Sequence, residues 1–168
     1  FDPVNGSSHF YSNDPKNSES ISHNLASFIL PDENDVLWIG TWGVLNWFDK
    51  KTGKFKNYTH DPNNSQSPSQ DELTCIYSDL TGQLWIGTNL GGLNSLNQPD
   101  ESFKSFDVEE KTNTTTITIY EDEKGNFWIG TYHTGIHLFD RDKGISIYNI
   151  SEKDGLANNE VNSILEDN

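Results

Sequence analysis

Methionine is missing from these 168 residues, cysteine occurs once, and Lys and Arg together number 11 against 26 acidic residues. Each scarcity excludes something. Without Met at position 1 the chain reads as an internal piece of a longer protein. A single Cys75 rules out an internal disulfide. It sits in the apolar run Leu73-Thr74-Cys75-Ile76-Tyr77 with no basic neighbour, so it is expected to be a buried, inert thiol that leaves the compartment undecided. A formal charge of -15 repels phosphate backbones, which excludes nucleic acid as a partner of this segment. An anionic ligand would need a local basic exception, whereas neutral, hydroxyl-rich or cationic ligands stay open. No apolar run nears the roughly 18 residues that span a bilayer, and Phe1 opens no signal peptide. Hydrophobic residues make up only 32% of the chain, at a mean hydropathy of -0.72. Yet 12% are aromatic, which disordered chains are not, so the apolar material is concentrated in short, heavy strands.

What is present is a repeat. Trp-Ile-Gly-Thr occurs at Trp38–Thr41, Trp85–Thr88 and Trp128–Thr131, at intervals of 47 and 43 residues. Six positions before each Trp stands Asp32, Asp79 or Asp122; nine before stands Ile29, Ile76 or Ile119. Residues 1–15 overlay the end of the first repeat, and Asn159–Asp167 overlays Asp71–Asp79. Each period divides into four strands A to D separated by turn signals such as Asp79-Leu80-Thr81-Gly82 and Lys51-Thr52-Gly53-Lys54. The expected fold is all-β, a β-propeller fragment of four-stranded antiparallel blades, three of them complete with partial blades at both termini. The expected boundaries are 1–15 for the tail of a preceding blade, 16–62, 63–107 and 108–150 for blades, and 151–168 for a connector and the first strand of another.

Blades stack face to face, so strand B is expected to be buried on both sides, its Trp lying against the next blade where the Gly leaves room. The Trp column is therefore structural in this reading. The Asp column is read as turn-capping, with calcium ligation the minor alternative because no second acidic ligand recurs at fixed spacing.

The unit Ile76-Tyr77-Ser78-Asp79-Leu80-Thr81-Gly82-Gln83-Leu84-Trp85-Ile86-Gly87-Thr88, followed by Gly91-Gly92-Leu93-Asn94, resembles the two-component regulator propeller repeat. Phe55–Ser65 also matches that family's blade-to-blade connector. The resemblance implies seven-bladed propellers in the periplasm, often in tandem, belonging to hybrid two-component sensors of gut Bacteroidetes. In those sensors a membrane helix, a histidine kinase and a DNA-binding regulator follow, and glycans are the signal. Two departures stand out: Val44 replaces the Gly found at Gly92 and Gly135, and Asp107–Asn113 lacks the Asp-Pro-Asn-Asn connector pattern.

In a propeller the D-to-A connectors and B-to-C loops share one face. The candidate surfaces are thus Asn13–Leu25, Thr59–Glu72 and Asp107–Asn113 with the loops at Trp42-Gly43, Asn89–Gly91 and Tyr132–Thr134. Trp42, Asn89, Tyr132 and His133 are the candidate ligand-binding residues, as aromatics beside Asn and His can stack on and hydrogen-bond a sugar ring. The competing reading has Trp42 and Tyr132 covering a neighbouring loop or packing between blades. No catalytic pattern and no metal set is found, since the five His residues are scattered and His133 and His137 share no helix. No cofactor is expected. The leading expectation is a non-catalytic periplasmic sensor segment for an oligosaccharide, meeting the membrane only through its parent protein. A scaffold or dimerisation role is the alternative, a propeller lyase or glycosidase a lesser one. Exposed blade faces lead to an expectation of self-association or packing with further blades.

Overall fold

A run such as Leu84–Thr88 has no polar face and must be covered on both sides. In the computed structural model, which describes residues 6–32, 35–109 and 113–167, every residue of this run is buried. It is the second strand of one of three four-stranded antiparallel sheets, each in simple sequential order. The first sheet comprises β1 (Ala26–Pro31), β2 (Val36–Thr41), β3 (Val44–Asp49) and β4 (Lys54–Tyr58). The second comprises β5 (Leu73–Ser78), β6 (Leu84–Thr88), β7 (Gly92–Asn97) and β8 (Ser102–Phe106). The third comprises β9 (Thr116–Glu121), β10 (Phe127–Thr131), β11 (Ile136–Asp140) and β12 (Ile145–Ile150). These are the strands A to D of each repeat, and the architecture is that of propeller blades.

The chain divides into two compact units, residues 1–57 and 58–168. In the first, Ile21, Ile39, Phe48 and Phe55 form the core, and Tyr11 lies edge-on to Phe48 and Phe55 at 4.8 and 5.6 Å. In the second, Trp85, Leu93, Phe106, Val108, Ile119, Phe127, Ile129 and Phe139 form one cluster that joins the two sheets of that unit. Cys75 packs against it, and burial pushes its thiol up to about 12, far from a reactive thiolate.

The glycine of Trp-Ile-Gly-Thr makes room, though for a different neighbour than the sequence suggests. A Cβ on Gly87 would lie 2.5 Å from Cys75 Sγ and 2.8 Å from the carbonyl oxygen of Thr116. The space admits the neighbouring strand A and the start of the next sheet, not the Trp ring. Opposite this point every A strand carries a one-residue bulge, at Ser27, Thr74 and Ile117, which no local sequence signal announces.

The terminal part-blades form no strands among the described residues. Residues 1–5 lie outside them, and 6–15 have no ladder partner. Asn159–Asp167 nevertheless follows the course that Thr114–Asp122 takes one repeat earlier. The Gly135 N–H donates to the Asn159 carbonyl at 3.0 Å, as Gly92 does to Thr114 at 2.8 Å, and Val161 packs on Gly130. A strand requires a second strand beside it, and no described segment pairs with this one.

Strand C buries one polar side chain per blade: Asn46, Asn94 and His137. Asn46 Oδ1 accepts from the Ser22 N–H at 2.8 Å, and Asn94 Oδ1 from Ser69 at 2.9 Å, so each Asn ties its sheet to the preceding connector. His137 bonds differently. The Asn149 Nδ2 donates to the carbonyls of Thr134 and Ile136, and His137 Nε2 lies 2.7 Å from Thr134 Oγ1. Its Nδ1 lies 2.9 Å from Ser146 Oγ, so each ring nitrogen meets a hydroxyl. Burial holds the imidazole down at about 4. The unfolded chain takes up this proton first as pH falls through the ordinary value of 6.5. Stability contributed by neutral His137 is thus complete above that value, lost progressively down to about 4, and constant below. His137→Asn, which restores the residue of the other two blades, should flatten the stability profile between these limits by up to about one proton. Urea titrations of both proteins across this pH window check it; parallel slopes would count against a buried neutral imidazole.

Candidate functional site

The A-to-B hairpins of the second and third sheets close on their Asp. Asp79 Oδ1 accepts the N–H groups of Thr81 and Gln83 at 2.9 and 3.0 Å, and Asp122 Oδ1 those of Lys124 and Asn126 at 3.0 and 2.8 Å. The second oxygen accepts the indole N–H of the repeat Trp: Trp38 to Asp32 at 2.7 Å, Trp85 to Asp79 at 2.8 Å and Trp128 to Asp122 at 3.0 Å. The expected capping role is present, and the fixed six-residue spacing also encodes a Trp–Asp bond that the sequence reading did not draw. The Trp128 bond, with those from Asn126, holds Asp122 down at about 2. Burial raises the Asp79 pKa, but donors from Thr81, Trp85 and Gln83 outweigh it and leave the carboxyl below its usual range.

The second unit adds a charge cluster that the sequence reading passed over, built on the chain's sole arginine. Arg141, in the β11–β12 turn, donates to Asp79 Oδ2 at 2.8 Å and to Glu121 Oε1 at 2.6 Å. Both carboxylates are nearly inaccessible, with side-chain exposures of 3% and 2%. Glu121 Oε2 accepts the N–H of Leu80 at 2.9 Å, and the guanidinium sits 5.0 Å over the Phe127 ring. One cation thus fastens the hairpin of the second sheet to strands of the third. A cavity of about 540 Å³ opens beside it, walled by Asp79, Lys104, Asp140, Arg141 and Asp142. Charges of both signs line it, and the arginine fork is already committed to two carboxylates.

The candidate ligand residues lie at the other ends of the strands. Trp42 belongs to the first unit; it is 67% exposed, with His23 edge-on at 6.0 Å. Asn89, Tyr132 and His133 belong to the second, where Thr115 ties Asn89 to Tyr132. The Thr115 carbonyl accepts the Tyr132 N–H at 3.1 Å, and its hydroxyl donates to Asn89 Oδ1 at 2.8 Å. Asn89 Nδ2 donates to Glu72 at 2.8 Å. Tyr132 is 45% exposed, and His133, also exposed, sets its ring edge-on to it at 4.3 Å. The two B-to-C loops of this unit therefore form one rim, organised by a connector residue that sequence alignment of the repeats does not single out. Among the described residues no cluster of three or more His, Cys, Asp or Glu could hold a metal ion.

Residues 110–133 match the family model for the two component regulator propeller. The resemblance to regulator propellers holds. The matched stretch contains β9, the Asp122 turn, Trp128 and the rim residue Tyr132. Among solved structures the chain is similar to the extracellular domain of the hybrid two component system BT3049 from B. thetaiotaomicron, at 27% identity and a TM-score of 0.66 over 82% of this chain and 18% of that one. It is also similar to the extracellular domain of the hybrid two component system BT4673 from the same organism, at 26% identity and a TM-score of 0.73 over 86% and 21%. A second BT4673 extracellular-domain structure matches at 21% identity and a TM-score of 0.62 over 95% and 29%, which bears on the fold alone. The chain thus spans about a fifth of the length of the first two. No curated protein matches it. Both of the first two likenesses are to extracellular domains of hybrid two component systems. No helix among the described residues is long and apolar enough to cross a membrane.

The Arg141 cluster can be weighed directly in this segment. A double-mutant cycle of Arg141→Ala with Glu121→Gln should give a coupling of about 1–2 kcal/mol, as removing the cation strands two buried carboxylates. The exposed Lys143–Asp140 pair, cycled in parallel, should show no measurable coupling. Equal couplings in denaturant unfolding would reduce Arg141 to a surface charge.

Proposed function

We propose that this chain is a ligand-input segment in the periplasmic part of a hybrid two-component regulator, with blades at 16–62, 63–107 and 108–150. Its ligand is a neutral oligosaccharide. The observation that carries this reading is the similarity to two B. thetaiotaomicron hybrid-system extracellular domains across more than four-fifths of the chain. The rim supports the ligand class. Tyr132, buttressed by His133, offers an aromatic face, Asn89 and Glu72 offer polar edges, and neither loop carries a Lys or Arg to favour an anion. Trp42 is a separate aromatic contact on the first unit. Binding would act by changing blade packing or dimer geometry, and that change would be transmitted across the membrane by the parent protein.

Calorimetry of the chain against cellohexaose, xylohexaose and mannohexaose, with an acidic oligogalacturonide as control, tests this reading. At least one neutral hexasaccharide should bind. Tyr132→Ala and His133→Ala should weaken that binding about tenfold without lowering the melting temperature, since both side chains are exposed. Binding of the acidic oligomer alone, or of none, would overturn the proposed ligand class.

A scaffold or self-association role has its own support. The outer strand β12 exposes Ile145, Ile147 and Tyr148, an apolar face suited to a further blade or a second copy. Light scattering at rising concentration should show the isolated chain associating; a monodisperse monomer throughout would count against it.

A further inference from the structure

Each B-to-C loop exposes one large apolar side chain, and in the second sheet it is not the residue that repeat alignment selects. Trp42 and Tyr132 directly follow the threonine of the repeat. The residue in that column of the second blade is Asn89, which is half-buried, whereas the next residue, Leu90, is 55% exposed. Leu90 also has φ 57°, a left-handed conformation that a leucine side chain disfavours and that no polar group on it can compensate.

The loop is held in this shape from all sides. Asn89 N–H donates to the Glu72 carbonyl at 2.8 Å, Leu90 N–H to Thr115 Oγ1 at 3.0 Å and Gly92 N–H to the Thr114 carbonyl at 2.8 Å; the Gly91 carbonyl accepts from Ser69 Oγ at 2.8 Å. The Asn89 amide is itself engaged by Glu72 and Thr115. A loop so fully bonded, in a conformation unfavourable for its central residue, directs that side chain outward into solvent. Leu90 and Tyr132 then flank one residue, Thr115, to which both their N–H groups donate.

We infer that Leu90 is a ligand contact of this rim, supplying with Tyr132 the apolar surface for the C–H face of a neutral sugar chain, and that Asn89 is the positioning residue that holds Leu90 out. This rests on the oligosaccharide reading above. The experiment uses Leu90→Asn, which tolerates the left-handed conformation and removes the apolar surface, alongside Asn89→Ala and Tyr132→Ala. Each is titrated with whichever neutral hexasaccharide the unaltered chain binds, and each is melted without ligand. Leu90→Asn should keep or raise the melting temperature and weaken binding roughly 5- to 30-fold. Asn89→Ala should lower both the melting temperature and the affinity. Unchanged affinity in Leu90→Asn with loss in Tyr132→Ala would overturn the Leu90 assignment and leave the rim reading standing. Unchanged affinity in both would overturn the rim as the site. A melting temperature lowered by Leu90→Asn would make the residue a packing element, and binding of none of the neutral sugars would overturn both readings together.

Discussion

The bond between an indole N–H and a turn carboxylate is the element on which the rest of this structure depends. It closes each hairpin at 2.7 to 3.0 Å and allows a large aromatic to be buried without an unsatisfied donor. At Asp79 and Asp122 the carboxylate that receives it also caps the turn amides, so one side chain sets the hairpin register and the ring position together. With that register in place, the strand-B glycine faces the neighbouring strand A. Backbone and side-chain atoms approach there too closely for any Cβ. Blade spacing in the second unit follows from this approach.

Charge is distributed by the same logic. The chain is strongly acidic, yet its buried acids are few and bonded. Asp79 serves three purposes, receiving turn amides, an indole and a guanidinium. Arg141 can be the chain's only arginine because a planar fork reaches two carboxylates at once, which an ammonium does less well. His137 shows the opposite solution. Where its repeat partners bury a neutral amide, it buries a neutral ring with the hydroxyls of Thr134 and Ser146 against its two nitrogens.

The proposed ligand rim lies away from these elements. The inter-sheet cluster and most of the second strand of each sheet are buried, while the exposed aromatic and aliphatic side chains of the B-to-C loops project into solvent. Thr115 links two of those loops through its hydroxyl and its carbonyl.

Much of this was determined by local sequence. Strand order, hairpin turns and blade architecture follow from a repeat in which Trp, Gly and Asp recur at fixed spacing, because such spacing is a property of neighbouring residues in the chain. The inert character of Cys75 was legible for the same reason. Tertiary structure alone decided the rest. The bulges at Ser27, Thr74 and Ile117 answer the approach of another strand. The lone Arg141 meets Asp79, which stands 62 residues away in sequence. Leu90 displaces Asn89 as the exposed side chain because Glu72 and Thr115 draw the asparagine inward. Repeat alignment compares residues along the chain, whereas these outcomes depend on partners contributed by other strands and connectors, whose distance in space no spacing rule records.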